Sequence, residues 1–232
     1  MSGASGTGES RRVTPGVMRK AIMRKVTVAK QQIPHIYLWR QVEVDHLLAR
    51  RKEYQPTAPS VTACMVWAAA RALADHPEVN ASVGEGELVY HGAIHIAVAV
   101  ALPGGLAMPV VRDADRLSPL EIHARLADLT ERARLRRLLP EEYQGSTFSI
   151  SNLGTHGVDS FAAIIQPPEA AILALGRFKP AWVKTADGWG ERTVMEATLS
   201  ADHRLVDGAP AAAFLEGFAN ALARIPGPNS QP

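Results

Sequence analysis

Near its C-terminal end the chain reads Leu199-Ser-Ala-Asp-His-Arg-Leu-Val-Asp-Gly-Ala209, with Asp202, His203, Arg204 and Asp207 crowded among small and apolar residues. Such a cluster is either a solvated turn or a catalytic histidine held on a tight turn. An imidazole titrates near pH 6.5, so it can exchange a proton with a substrate at neutral pH. A second polar stretch, Thr147-Phe-Ser-Ile-Ser151, alternates hydroxyl and apolar side chains as a half-exposed strand does. Other chemistries find no counterpart. The eight histidines are scattered, none pairs with another on a predicted helix, and there is no cysteine cluster, so no metal is expected. Gly84-Glu-Gly86 lacks the third glycine and the following helix of a dinucleotide loop. A Gly-x-Ser-x-Gly elbow is absent as well.

The bulk properties narrow the setting. The 232 residues can bury a real core, and 47% hydrophobic with 21% charged residues is ordinary for a globular protein. A net charge of +2 without a dense run of one sign predicts no nucleic-acid or membrane-surface partner. The apolar runs fall far short of the roughly 20 residues that span a bilayer. No secretory signal is visible, and the single Cys64 reads as a buried small hydrophobe, so a cytoplasmic location is expected.

The residues that could do chemistry must be positioned by the rest. Residues 1–15 read as a flexible linker or an expression remnant, 16–226 as one α/β domain, and 227–232 as a polar tail. Helices are predicted over Met18–Gln31, Asp45–Glu53, Cys64–Asp75 (capped by Ser60 or Thr62), Ser118 to about Leu138, and Ala209–Arg224. Ser118-Pro-Leu-Glu121 carries a capping box with proline at the first helical position. Strands are predicted at His35–Val44, Glu87–Tyr90, His95–Leu102, Ala107–Val111, Ser146–Ser151, Ala162–Ile165, Ala170–Leu175, Ala181–Lys184 and Thr193–Ser200.

Asp202-His-Arg-Leu-Val-Asp-Gly208 resembles the signature of the acyltransferase component of 2-oxo acid dehydrogenase complexes. Ser146-Thr-Phe-Ser-Ile-Ser-Asn-Leu-Gly154, with Gly157-Val-Asp-Ser-Phe161 and Ile164-Ile-Gln-Pro-Pro-Glu-Ala170, is similar to that family's second block. Met18-Arg-Lys-Ala-Ile22, Ile33-Pro-His-Ile-Tyr37, Pro77-Glu-Val-Asn-Ala81 and Pro109-Val-Val-Arg-Asp-Ala-Asp115 follow in the expected order, so the likeness covers about residues 17–225.

The resemblance implies a chloramphenicol acetyltransferase-like fold: a two-layer α/β sandwich with a mixed sheet flanked by helices, assembled as a homotrimer. It implies transfer of an acyl group between dihydrolipoamide and coenzyme A, with His203 as general base and Ser151 as donor to the oxyanion. Asp207 would order the loop of His203, pairing with an arginine such as Arg24, and Gly208 would support the turn. Asn152, Gly154 and His35 would contact substrate, although His35 and His95 are equally read as packed strand histidines. Active sites would lie between subunits. The lipoyl group would come from a separate domain or chain, and other oxo acid dehydrogenase subunits are further expected partners.

Three features depart from the family pattern. No lipoyl or partner-binding domain precedes the catalytic blocks, the last eight residues are polar and proline-rich, and Thr155-His156 stands where large apolar residues are usual. Two other readings stay open at this point: a same-fold coenzyme A-dependent acyltransferase with a non-lipoyl acceptor, and a non-catalytic trimeric scaffold. The sequence does not identify the acyl group.

Overall fold

The computed structural model describes residue 10 and residues 12–84, 86–102, 105–185 and 188–228. Most of the linker reading, the turn at Pro103-Gly104 and the end of the polar tail lie outside the described residues. The elements in chain order are α1 (Val17–Gln32), β1 (His35–Glu43), α2 (Asp45–Glu53), α3 (Val61–Asp75), β2 (Ala81–Val83) and β3 (Leu88–Tyr90). Then come β4 (Ile96–Val98), β5 (Val100–Leu102), β6 (Gly105–Ala107), β7 (Val110–Val111), α4 (Pro119–Arg134) and β8 (Phe148–Asn152). The chain closes with β9 (Ala171–Leu175), β10 (Lys179–Thr185), β11 (Gly188–Asp202) and α5 (Gly208–Ala223). No helix among the described residues is long and apolar enough to cross a membrane.

The main sheet runs β1-β11-β9-β8-β4-β7, with β10 paired to the first half of β11. β8 is parallel to both β4 and β9, and the other pairs are antiparallel, so the sheet is mixed. Period-two patterning decides what each face carries. In β8, Phe148 and Ile150 point into the main core, and in β11 so do Ala197, Leu199 and Ala201. The intervening Ser149, Ser151, Thr198, Ser200 and Asp202 therefore lie on the opposite face.

The core face is covered by α3, α4 and α5, whose apolar stripes pack against it and one another. Nine of the fifteen α3 residues are buried, most of them alanine, so the neighbouring helices approach closely. Burial pushes the Cys64 thiol up to about 12, far from a reactive thiolate. Ser60 is the cap: its hydroxyl accepts from Ala63 N–H at 3.1 Å. Ser60→Ala is expected to cost about 1 kcal/mol, read as a lowered urea midpoint at unchanged slope.

The other face is covered more thinly. α1 lies across it, anchored by Ala29 and Ile33 against Ile165 and Ile172. Segment 161–166, predicted in part as a strand, is irregular here because side chains take its backbone groups. Ser200 donates to Ala163 O at 2.7 Å, and Ile165 N–H donates to His35 Nε2 at 3.2 Å.

Other boundaries differ for local reasons. The predicted strand His95–Leu102 breaks at Ala99, whose N–H donates to Ile150 O, and β5 leaves to form a hairpin with β6. Pro109 has no N–H for a ladder and splits the next strand into β6 and β7. α4 stops at Arg134, short of Leu138, because Arg136 turns left-handed (φ 56°) and Arg137 N–H closes onto Arg132 O. β2 was not foreseen as a strand; it pairs with β3 in a separate small sheet.

Candidate active site

β11 ends at Asp202, and the turn that follows is built around that buried carboxylate. Asp202 is 2% exposed. Its oxygens accept from Arg204 Nε at 2.9 Å, Arg204 Nη2 at 2.6 Å and the Arg204 N–H at 3.0 Å. Its backbone carbonyl takes the N–H groups of Leu205 and Val206. A buried charge satisfied this fully locks the turn, since losing a partner would leave it unpaired. His203 is thereby projected outward, and its own N–H donates to Pro34 O at 3.0 Å at the end of α1.

The His203 side chain is about half exposed, with Nδ1 3.5 Å from Asp207 Oδ1. Asp207 precedes α5 as its N-cap residue but makes no side-chain cap bond, so its carboxylate is left to face the histidine. Nδ1 is thus the ring nitrogen beside a carboxylate, and Nε2 is the one left for a substrate.

The expected pairing of Asp207 with Arg24 is not made within the chain. Pro34, which holds His203, lies ten residues beyond Arg24, about 15 Å of helix rise away. Gly208 has open space where a Cβ would stand and no left-handed φ, so nothing in this chain alone requires glycine there.

Ser151 lies near the end of β8 on the face turned away from the main core. Asn152 is used internally: Oδ1 accepts from Gly154 N–H at 2.9 Å, and Nδ2 donates to Thr62 at 3.4 Å. Gly154 is sterically required, because a Cβ there would come 2.6 Å from Gly176 O. His35 has both ring nitrogens on backbone, with Nδ1 2.8 Å from Ile33 O and Nε2 accepting from Ile165 N–H. Since Nε2 accepts, Nδ1 carries the proton, and only the ring face of His35 is left for a substrate. His95 likewise accepts the Asp113 N–H at Nδ1.

The ladder fixes how far Ser151 stands from His203. Ser151 is level with Ala174, and Ala174 with Thr198. His203 lies five residues past Thr198, roughly 16 Å along the strand and about 10 Å across two strands. The two Cα atoms of one chain are thus about 19 Å apart. Groups acting on one carbonyl must each come within about 3 Å of its reacting atoms. Among the described residues no cluster of His, Cys, Asp or Glu could hold a metal ion.

The model of the 2-oxoacid dehydrogenases acyltransferase family (catalytic domain) matches residues 7–227. The chain belongs to this family. The dihydrolipoyllysine-residue acetyltransferase component of the pyruvate dehydrogenase complex from Rickettsia felis is 39% identical over 217 residues, covering 90% of this chain and 53% of the relative. This chain therefore spans about half the length of the curated relatives it matches.

The structure of Azotobacter vinelandii dihydrolipoamide acetyltransferase superposes with a TM-score of 0.89 at 29% identity, over 94% of this chain and 93% of that one. That work addressed a serine, a histidine and an asparagine in the catalytic mechanism, spaced 52 and 4 residues apart. Ser151, His203 and Asp207 of this family member have the same spacing, with aspartate in the third place. Chloramphenicol acetyltransferase shares the fold at a TM-score of 0.58 and 14% identity, over 86% of this chain and 94% of that one. The expected α/β fold with a mixed sheet and flanking helices is thus the one found.

Proposed function

We propose that this chain transfers an acetyl group between coenzyme A and the dihydrolipoyl group of a lipoyl domain, in a pyruvate dehydrogenase complex. The single observation that carries the reading is the constellation of His203 with Asp207 and Ser151 at the spacing of the three residues studied in the Azotobacter enzyme. In the forward step His203 Nε2 takes the proton of the acceptor thiol as its sulfur attacks the thioester carbonyl. The carbonyl oxygen becomes an oxyanion and accepts a hydrogen bond from Ser151 Oγ. Collapse of the tetrahedral intermediate breaks the original C–S bond, and the departing thiolate recovers the proton from the imidazolium. Asp207 keeps Nδ1 protonated throughout.

The separation of about 19 Å within one chain supports a site whose two halves come from different copies. A homotrimer, with His203 of one subunit facing Ser151 of the next, supplies them and leaves a single chain inactive. Coenzyme A is a substrate here, the lipoyl group belongs to another domain or chain, and other subunits of the complex are partners of the assembly. The test is exchange of acetyl, succinyl and isobutyryl groups from coenzyme A to dihydrolipoamide by the assembled protein. Preferred turnover of acetyl supports the reading; assembled protein that turns over none of the three overturns it.

A further inference from the structure

Asn152 is the last residue of β8 and follows Ser151 directly. Successive strand residues face opposite ways, so Ser151 lies on the hydroxyl face while Asn152 turns to the side of the helices. There its amide is used in two directions. Oδ1 closes a tight turn on Gly154 N–H, and Nδ2 reaches Thr62 Oγ1 in the first turn of α3. That helix end is itself fixed, by the Ser60 hydroxyl on Ala63 N–H and by His123 Nδ1, which accepts the Ser60 N–H at 3.2 Å. One side chain thus ties the strand end both to its own turn and to the helical layer.

The ladder around Ser151 gives that tie its purpose. β4 pairs with β8 only as far as Val98 and Ile150, and Ala99 N–H on Ile150 O is the last bond on that side. β5 then leaves for its hairpin with β6. Among the described residues, Ser151 and Asn152 therefore have a strand neighbour on the β9 side alone, at Ala174 and Leu175. Leu153 N–H on Leu175 O continues that single edge at 3.1 Å. A strand end held on one side opens more readily than one held on both. A group that must meet a developing oxyanion has to be held to within about 0.5 Å. Ser151 stands where the sheet alone does this least well.

We propose that Asn152 is a positioning residue for Ser151: braced by Thr62, its amide takes the place of the missing β4 partner and fixes where the Ser151 hydroxyl stands. The inference rests on the acetyl transfer reading. It adds that Asn152 serves the reaction without touching substrate, in contrast to the contact that the resemblance implied.

The experiment is a double-mutant cycle of Asn152→Ala and Ser151→Ala, assayed in the assembled protein with acetyl-coenzyme A and dihydrolipoamide. Asn152→Ala is expected to lower kcat about 10- to 100-fold and to leave both KM values unchanged, since a misplaced oxyanion donor costs rate and not binding. In the Ser151→Ala background the same substitution is expected to cost less than about twofold, because the hydroxyl it positions is gone. Asn152→Asp keeps an acceptor for Gly154 N–H and can accept from the Thr62 hydroxyl, so kcat is expected within about threefold of wild type. Thr62→Val removes that hydroxyl at nearly constant shape and is expected to lower kcat about threefold, again only where Ser151 is present. Losses that multiply in the double variant, or a KM that rises as kcat falls, would overturn the role and make Asn152 a structural or substrate-contacting residue.

Hydrogen exchange separates the tether from the reaction. In Asn152→Ala the Leu153 and Gly154 amides are expected to exchange about tenfold faster, with Thr147 and Phe148 at the other end of the strand unchanged. Assembled wild type that transfers no acetyl group, together with that exchange pattern, overturns the reaction and leaves the tether standing. Unchanged exchange overturns the tether whatever the kinetics.

Discussion

His203→Ala is expected to lower kcat for acetyl exchange by about 100- to 10,000-fold with little change in either KM, because it removes only the base. Ser151→Ala is expected to cost about 100- to 1,000-fold, the usual loss when one oxyanion donor is removed. The more telling experiment mixes the two. If each site of a trimer takes its histidine from one subunit and its serine from the next, co-refolding equal amounts of the variants leaves about one interface in four with both groups intact. Activity is then expected to return to about a quarter of wild type, far above either variant alone. A site contained in one chain gives no recovery, because no chain carries both residues. The roughly 19 Å between Ser151 and His203 along the ladder is the reason to expect recovery. Mixed protein as inactive as its parents, although assembled, would contradict it.

What could be read in the residues and what could not divides along physical lines. Local rules carried the parts held by local forces. The capping box at Ser118 and Glu121 forms, with Ser118 N–H donating to Glu121 Oε2 at 2.8 Å. The alternation in Phe148-Ser-Ile-Ser151 separates the core face from the hydroxyl face, although Ser149 is buried rather than half-exposed. The tight turn read around His203 leads into α5, which starts at Gly208 beside the expected Ala209. Long-range pairing escaped in the same measure. Ala162–Ile165 has strand composition, yet its backbone partners are His35 and Ser200, residues far away in sequence. His35 reads equally as a substrate contact and as a packed strand histidine, and nothing in the sequence says that Ile33 and Ile165 occupy both its nitrogens. Arg24 looked like a partner for Asp207, and only the placement of Pro34 against His203 shows how far along the helix it stands.

Glu169 is the clearest residue that reading missed, and it carries the second large expectation. In the sequence Pro167-Pro-Glu169 stands only within a block similar to the family's, with no role for the carboxylate. In the fold Glu169 is 4% exposed, wedged between Ser146, Ser149 and Lys25, with one oxygen accepting from Ser146 and the other without a hydrogen-bond partner. Burial pushes its pKa up to about 7, against the opposing pull of the Ser146 and Ser149 hydroxyls and the Lys25 charge. The folded state therefore holds a proton that the unfolded chain has already released above about pH 4.5. Stability from this group is full below that pH, falls as pH rises towards about 7, and stays low above it. The gap corresponds to roughly 3 kcal/mol lost between pH 4.5 and pH 8. Glu169→Gln keeps the shape and the acceptor for Ser146 but cannot ionise. It is expected to match wild type near pH 4.5 and to exceed it by up to roughly 3 kcal/mol at pH 8. Urea unfolding of both proteins at the two pH values, at one fixed protomer concentration, measures the difference directly. An equal effect of the substitution at both pH values would mean that Glu169 is ionised in the fold throughout, with Lys25 rather than a proton balancing its charge.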